Sequence, residues 1–369
     1  MTDTELKLPF YAKAIFFLFG SFVLFVILYI AKGIIVPLVF AIIIAIVLHP
    51  VVTFFVEKKI NRVLAIIITL FLTFLVIAAF GFLFFSQAIR FSESWPILVD
   101  KFTDMFNQSV TWASGYFDIN PQKIHDWFAN TKSELINSST AAIGETLVTV
   151  GSLVVVLFLI PVYVFMILFY HPILIEFIHR LFGTGNQSQV NLIVTKTKNV
   201  IQRYLAGLVI EAAIVATLNS VALLILGIEY AILLGIIGAL LNVIPYIGGI
   251  IGVAIFMVVA LITKSPVYMI YIIVIYSVIQ FIDNHYIVPK IVASKVRINA
   301  LFAIVVVIAG NALWGIPGMF LSIPLLAIVK LVCDNIEPLK PWGFLLGDTM
   351  PPLLKIKPFI KKILSKSKG

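Results

Sequence analysis

Charge is scarce in this chain: charged side chains make up 12% of its 369 residues, against roughly 25% in a soluble globular protein. Cysteine is nearly missing as well. Cys333 stands alone, which excludes an intramolecular disulfide and any cysteine-based metal spacing. Glycine (21) and proline (17) are too few for a collagen-like or low-complexity chain. No HExxH pair, phosphate-binding loop or serine elbow occurs, so the common enzyme signatures and a resident nucleotide are excluded, and no cofactor is expected. A single Glu-x-x-His, Glu176 and His179, lacks the second copy and the further carboxylates of a di-metal helical site. No catalytic residue and no metal ligand is therefore assigned.

What the chain has instead is apolar side chain, 62% of all residues. A soluble fold of this size would be left with aggregating surface. The sequence reads as an all-α integral membrane protein with membrane lipid around it. Runs free of charge lie at 14–31, 33–56, 63–89, 146–175, 230–263, 265–282 and 298–329, and an eighth, 204–228, is interrupted only by Glu211. A helix needs ~20 apolar residues to cross ~30 Å of hydrocarbon. The runs far exceed the ~10 alternating residues of a barrel strand. The run 146–175 is expected to leave the membrane near Pro172. The first run is followed by Lys32 rather than a small-residue cleavage site, so it reads as a retained span.

Two runs are too long. Residues 230–263 and 298–329 would make helices of ~51 and ~48 Å, and a single crossing would demand tilts above ~50°. Each also carries breakers near its middle: Asn242-Val-Ile-Pro245-Tyr246-Ile-Gly248-Gly249 in one, and Gly310-Asn311-Ala-Leu-Trp314-Gly315-Ile-Pro317-Gly318 in the other. Both should split into half-helices of ~15 residues and enter the membrane as re-entrant hairpins, tolerated where protein or a watery cavity satisfies the freed backbone. The expected fold is about six full spans plus two broken re-entrant hairpins. The order span, hairpin, span, hairpin over 204–332 is an inverted-topology repeat, a transporter architecture with its site at the midplane.

With both termini inside, the cytoplasmic segments collect all but six of the 26 Lys and Arg; Lys32, Arg90, Lys101, Lys123, Lys132 and Lys264 fall outside. Loop charge of this kind accounts for the net +9 without nucleic acid. The chain divides into a three-span scaffold (1–89), an extracytoplasmic segment (90–145), a fourth span with a cytoplasmic amphipathic helix (146–203), the repeat unit (204–332) and a Lys-rich cytoplasmic tail (333–369). In the outer segment Trp95, Leu98, Phe102 and Phe106 recur at helical spacing, which predicts short amphipathic helices.

Polar residues inside spans are costly, ~2.5–3.5 kcal/mol for a central Asp, and so face a cavity or a partner. Glu211 is a candidate proton or cation site; its structural alternative is a hydrogen bond to Asn219 or a hairpin backbone. Asn242 and Asn311 flank the two breaks, where they could coordinate substrate or ion beside carbonyls freed near Pro245 and Pro317, or cap broken helices. Gln280 and Asn284, at i,i+4, share a face with Asp283 beside them, as a polar cluster near the inner mouth or as a helix end ahead of Pro289. Gly248 with Gly252 forms a small-residue step for close helix approach; Gly249 and Gly318 mark the tips. Tyr246 and Trp314 could stack on a ring-shaped substrate or simply pack.

These stretches carry a family resemblance. Arg203-Tyr204-Leu205-Ala-Gly207, the Asn242–Gly249 stretch, Gln280-Phe-Ile-Asp283-Asn284 with Pro289, and Gly315-Ile-Pro317-Gly318 with Ser322-Ile-Pro324 occur in the order found in the autoinducer-2 exporter family. The resemblance covers about 130 residues, 200–330; the N-terminal half matches mainly in its span pattern. One departure is Leu208, where the family commonly places Gln. The resemblance implies a bacterial inner-membrane, homo-oligomeric secondary transporter that exports a small signalling molecule such as autoinducer-2, with proton or sodium coupling, or that exchanges sodium for protons. A non-transporting scaffold or assembly factor is the reading from a different class.

Overall fold

The computed structural model describes residues 9–117, 158–181, 187–244, 247–292 and 298–348. Pro245, Tyr246, residues 118–145 of the outer segment and the lysine-rich stretch beyond 348 lie outside the described residues, as does the side chain of Trp95.

Every described element is helical, and the only strand-like feature among the described residues is an isolated bridge between Ile298 and Gly347. The helices are α1 (Phe10–Ile30), α2 (Lys32–Glu57), α3 (Arg62–Phe117), α4 (Phe158–Leu181), α5 (Gln187–Ile225), α6 (Ala231–Asn242), α7 (Ile247–Thr263) and α8 (Pro266–Ile282). A π-helix, Asp283–Val292, continues α8 without a break. Then come α9 (Ala300–Trp314), α10 (Ile316–Asn335), a 3₁₀ turn (Glu337–Leu339) and α11 (Lys340–Leu346). Six of these, namely α2, α3, α4, α5, α8 with its π extension, and α10, are long and apolar enough to cross a membrane. Large apolar side chains point outward, among them Phe17 at 75% and Phe82 at 76% exposure. Such surface is stable only against lipid or another protein.

Three of these helices run past the limits expected from the sequence. The third apolar span, Arg62–Phe91, ends where the run placed it, but the helix does not: α3 continues to Phe117, 56 residues in all, so one helix replaces the separate short helices expected over that stretch. Its extension is anchored by buried Leu98 and Val110 and by the Phe91 ring, which meets Tyr230 edge-on at 5.2 Å. Nor does Pro172 end α4, which continues to Leu181; a proline interrupts one backbone bond, and neighbouring packing can carry the helix past it. The amphipathic segment before the fifth span fuses with it into the 39-residue α5. Glu176 is paired with Arg180 at 2.8 Å, while His179 meets Asn191 of α5 at 2.7 Å, so both residues of the lone Glu-x-x-His motif are engaged.

Both overlong runs break. The first parts after Asn242, and the second at Gly315, whose φ of 66° and ψ of −145° few residues other than glycine adopt. The halves of the second are unequal: α9 has 15 residues, and α10 has 20, enough to span by itself. In each pair the halves lie antiparallel and touching at glycine. A Cβ on Gly248 would sit 1.7 Å from the Leu241 carbonyl oxygen, and one on Gly318 would sit 2.0 Å from that of Gly310. Gly252 faces Gly238 one turn further along the first hairpin.

Packing divides the molecule. The first hairpin lies along α5 and α8, around Leu234, Phe256, Ala260 and Ile272. Helices α2, α3 and α4 close a second core at Ala41, Ala65, Ile66 and Leu168. The second hairpin leans on α1, α2 and α5, with Phe40 stacked on Phe320 at 5.7 Å and the Trp314 indole donating to the Leu28 carbonyl at 3.0 Å.

Candidate functional site: a carboxylate pair at the first hairpin break

Along α5 the buried positions include Tyr204, Gly207, Glu211, Val215, Asn219 and Leu223, spaced three or four apart on one stripe. The stripe should be wholly apolar if packing were its only task, yet Glu211 is 7% exposed and Asn219 2%. It faces α6, the first limb of the broken hairpin, and the π-helix that prolongs α8.

Three elements meet at the break. Asn242 is the last residue of α6, and its amide nitrogen donates to Asp283 Oδ2 at 2.8 Å and reaches Glu211 Oε1 at 3.5 Å. Its amide oxygen accepts from Gln280 Nε2 at 3.4 Å. A single amide thus bridges two carboxylates and is itself held by a second amide. Beside them the Tyr276 hydroxyl donates to the Gly249 carbonyl at 2.9 Å, tying α8 to the first turn of α7. A side chain on Gly249 would crowd that hydroxyl at 3.1 Å, so glycine keeps the wall of the cluster thin.

Asp283 is 1% exposed, and its Oδ1 has no hydrogen-bond partner. Asn219 Oδ1, on the same α5 stripe, is in the same condition. Buried oxygens are rarely left unpaired, and each carries a desolvation penalty of about 1–3 kcal/mol. No cationic side chain pairs with either carboxylate among the described residues. Two buried carboxylates without a basic partner need a bound proton or a cation to balance them. The Asn219 end opens on a very small cavity of about 10 Å³ shared with Tyr276, close to the room one water needs.

The π-helix explains a difference from the sequence pattern. On an α-helix Gln280 and Asn284 would share a face. Because the ladder changes to i→i+5 bonds at Asp283, Asn284 is instead exposed while Gln280 and Asp283 enter the cluster. Of the other candidates, Gly248 closes the first hairpin. Asn311, Pro317 and Gly318 belong to the second, where Asn311 and Pro317 are exposed and Gly318 is buried against Gly310. The buried polar group at that hairpin is Ser322, which donates to the Gly318 and Val306 carbonyls at 2.6 and 2.8 Å. Tyr276 was missed by sequence reading, since an aromatic in an apolar span has no distinguishing signal; Ser322 appeared there only within the family stretch.

Similar proteins point to a single family. The AI-2E family transporter profile matches residues 16–337, which include every element of both hairpins. YueF of Bacillus subtilis, named as a candidate transport protein, is 24% identical over 90% of each chain. Escherichia coli YhhT, named likewise, is 22% identical over 87% of this chain and 90% of its own. PerM of Escherichia coli, named as a candidate permease, is 26% identical over 73% of this chain and 77% of its own. With its multi-pass helical body and a profile match across most of its length, this chain belongs to the AI-2E family of transporters.

Proposed function

We propose that the protein is a secondary-active transporter that exports a small polar organic molecule of the autoinducer-2 kind, driven by proton or sodium movement through the Glu211–Asn242–Asp283 cluster. The observation that carries this reading is the pair of buried carboxylates bridged by the amide at the end of a broken helix. Asn242 belongs to the hairpin, Glu211 and Asp283 to the helices beside it. A shift of the hairpin limb therefore separates the amide from both acids. Loading a proton or cation on the pair changes which position of the limb is favoured, and that is the differential interaction coupled transport needs.

The membrane is the bacterial cytoplasmic membrane, with both termini on its inner side, in keeping with the distribution of Lys and Arg. Copies of the chain associate through exposed apolar helix faces, as the family resemblance implies.

A sodium–proton antiporter is the second reading. It is favoured by Asp283 Oδ1, a buried oxygen free to ligate a hard cation. Reconstitution in proteoliposomes decides between them. Export predicts that a proton or sodium gradient drives uptake or release of small hydroxylated organic molecules. Antiport predicts sodium-dependent proton movement with no organic solute present. No flux of any tested solute or ion under either gradient would overturn both.

A further inference from the structure

A sizeable cavity lies away from the carboxylate pair. It has a volume of about 610 Å³ and opens where α2, α4, α5 and the end of α10 diverge. Ligand pockets typically enclose ~300–1,000 Å³. Its walls are almost entirely aliphatic, with Ile46, Leu174, Ile193 and Val194 representative.

One part of the lining is different. His49 and His171, from α2 and α4, lie with ring centroids 4.5 Å apart. Lys198, from α5, brings its Nζ to 3.1 Å from His49 Nδ1. That contact makes His49 Nδ1 the acceptor and leaves the other ammonium protons of Lys198 for a further acceptor. No Asp or Glu lines the cavity. Nearby, the Arg62 guanidinium donates to the Leu168 carbonyl at 2.7 Å, adding a second positive charge at the same end of the α2–α4 bundle. A part-buried ammonium with no carboxylate in the lining favours an anion beside it. Free phosphate would satisfy the charge and leave the aliphatic walls wet; a second copy of the chain would cover the walls and leave the ammonium unmatched. An anionic phospholipid satisfies both, and basic pockets between transmembrane helices are where such headgroups bind.

We propose that this groove is a binding site for an anionic membrane phospholipid, its acyl chain along the aliphatic walls of α2, α4 and α5 and its phosphate at Lys198, His49 and His171. The lipid would bridge α2 and α4 of the scaffold to α5, the helix that carries Glu211, and so would steady the frame against which the first hairpin moves.

The test uses the full-length protein, purified in detergent, stripped of lipid and titrated with phosphatidylglycerol, phosphatidylcholine or inorganic phosphate. Bound lipid is read by native mass spectrometry, and the shift in melting temperature is read in parallel. Phosphatidylglycerol should bind about five-fold more tightly than phosphatidylcholine, as expected for one ammonium contact. Lys198→Met should remove that preference and Lys198→Arg should restore it. Val194→Trp, which fills the groove and keeps the charges, should weaken both lipids. If Lys198→Met does not fold, the arginine and tryptophan variants carry the test. Equal binding of the two lipids by the unaltered protein would overturn the proposal. So would a preference unchanged in Lys198→Met, or inorganic phosphate giving the same stabilisation as phosphatidylglycerol, which would mark an anion site without a lipid.

Discussion

The two broken hairpins share a backbone solution and differ in what surrounds it. Each brings its limbs to glycine contact, at Gly248 against Leu241 in the first and at Gly318 against Gly310 in the second. Around the second break, the described polar contacts are spent on backbone: Ser322 on two carbonyls of its own hairpin and Trp314 on α1. Around the first, the Tyr276 hydroxyl also holds a backbone carbonyl, but the other contacts run between side chains of different helices and join two acids through one amide. Hydrogen bonds of the first kind stabilise a hairpin in one position. Those of the second kind depend on protonation and on where the limb sits. Under the proposed function, the second hairpin anchors and the first switches.

Substitutions can break that comparison, beginning with the largest effect. Gly248→Leu and Gly318→Leu should both abolish folding in the membrane, since even a Cβ would meet a carbonyl oxygen at 1.7 and 2.0 Å, and overpacking of a lesser degree already costs about 1–3 kcal/mol. Recovery of folded protein by size-exclusion chromatography should fall alike for both. A folded Gly248→Leu beside an unfolded Gly318→Leu would show that the first break is loose rather than closed.

Asn242→Leu comes next. It leaves both carboxylates without their donor, a loss of about 1–3 kcal/mol, and should reduce gradient-driven flux at least ten-fold while the protein still folds. Glu211→Gln should be milder in flux and sharper in kind. The variant keeps a polar contact with Asn242 but can no longer ionise, so transport should lose its response to the proton gradient, measured by imposing pH differences across proteoliposomes. An unchanged response would remove Glu211 from coupling. The smallest effect is expected at the second hairpin, where Ser322→Ala gives up hydrogen bonds worth about 1 kcal/mol. It should lower the melting temperature slightly and leave ion dependence intact.

The hairpins were legible in sequence because length and breakers are local: a run of 34 residues with Asn242 and Gly248 at its middle cannot remain one spanning helix. Glu211, Asn242, Gln280 and Asp283 stood out singly, since a polar residue in an apolar run is costly wherever it points. Their convergence was not legible. Asn242 and Asp283 are 41 positions apart, and only the packing of α6 against α5 and the π-helix brings them to 2.8 Å. The π-helix itself carries no periodic signature, which is why Asn284 read as a partner of Gln280 and lies exposed instead. Hydropathy placed the end of the third apolar span near 89 and was silent on the helix beyond it, because polar residues stop a run without stopping a helix. The groove beside Lys198 was invisible for a related reason: His49, His171 and Lys198 come from three helices and form no motif.

The most direct test compares one residue from each hairpin's surroundings under a single gradient. Asp283→Asn and Asn311→Ala, reconstituted side by side, are assayed for proton- or sodium-driven flux at matched protein density. The account predicts that Asp283→Asn abolishes gradient-driven flux and Asn311→Ala retains it at near the unaltered rate. Flux retained in Asp283→Asn and lost in Asn311→Ala would contradict it, and would move the working site to the second hairpin.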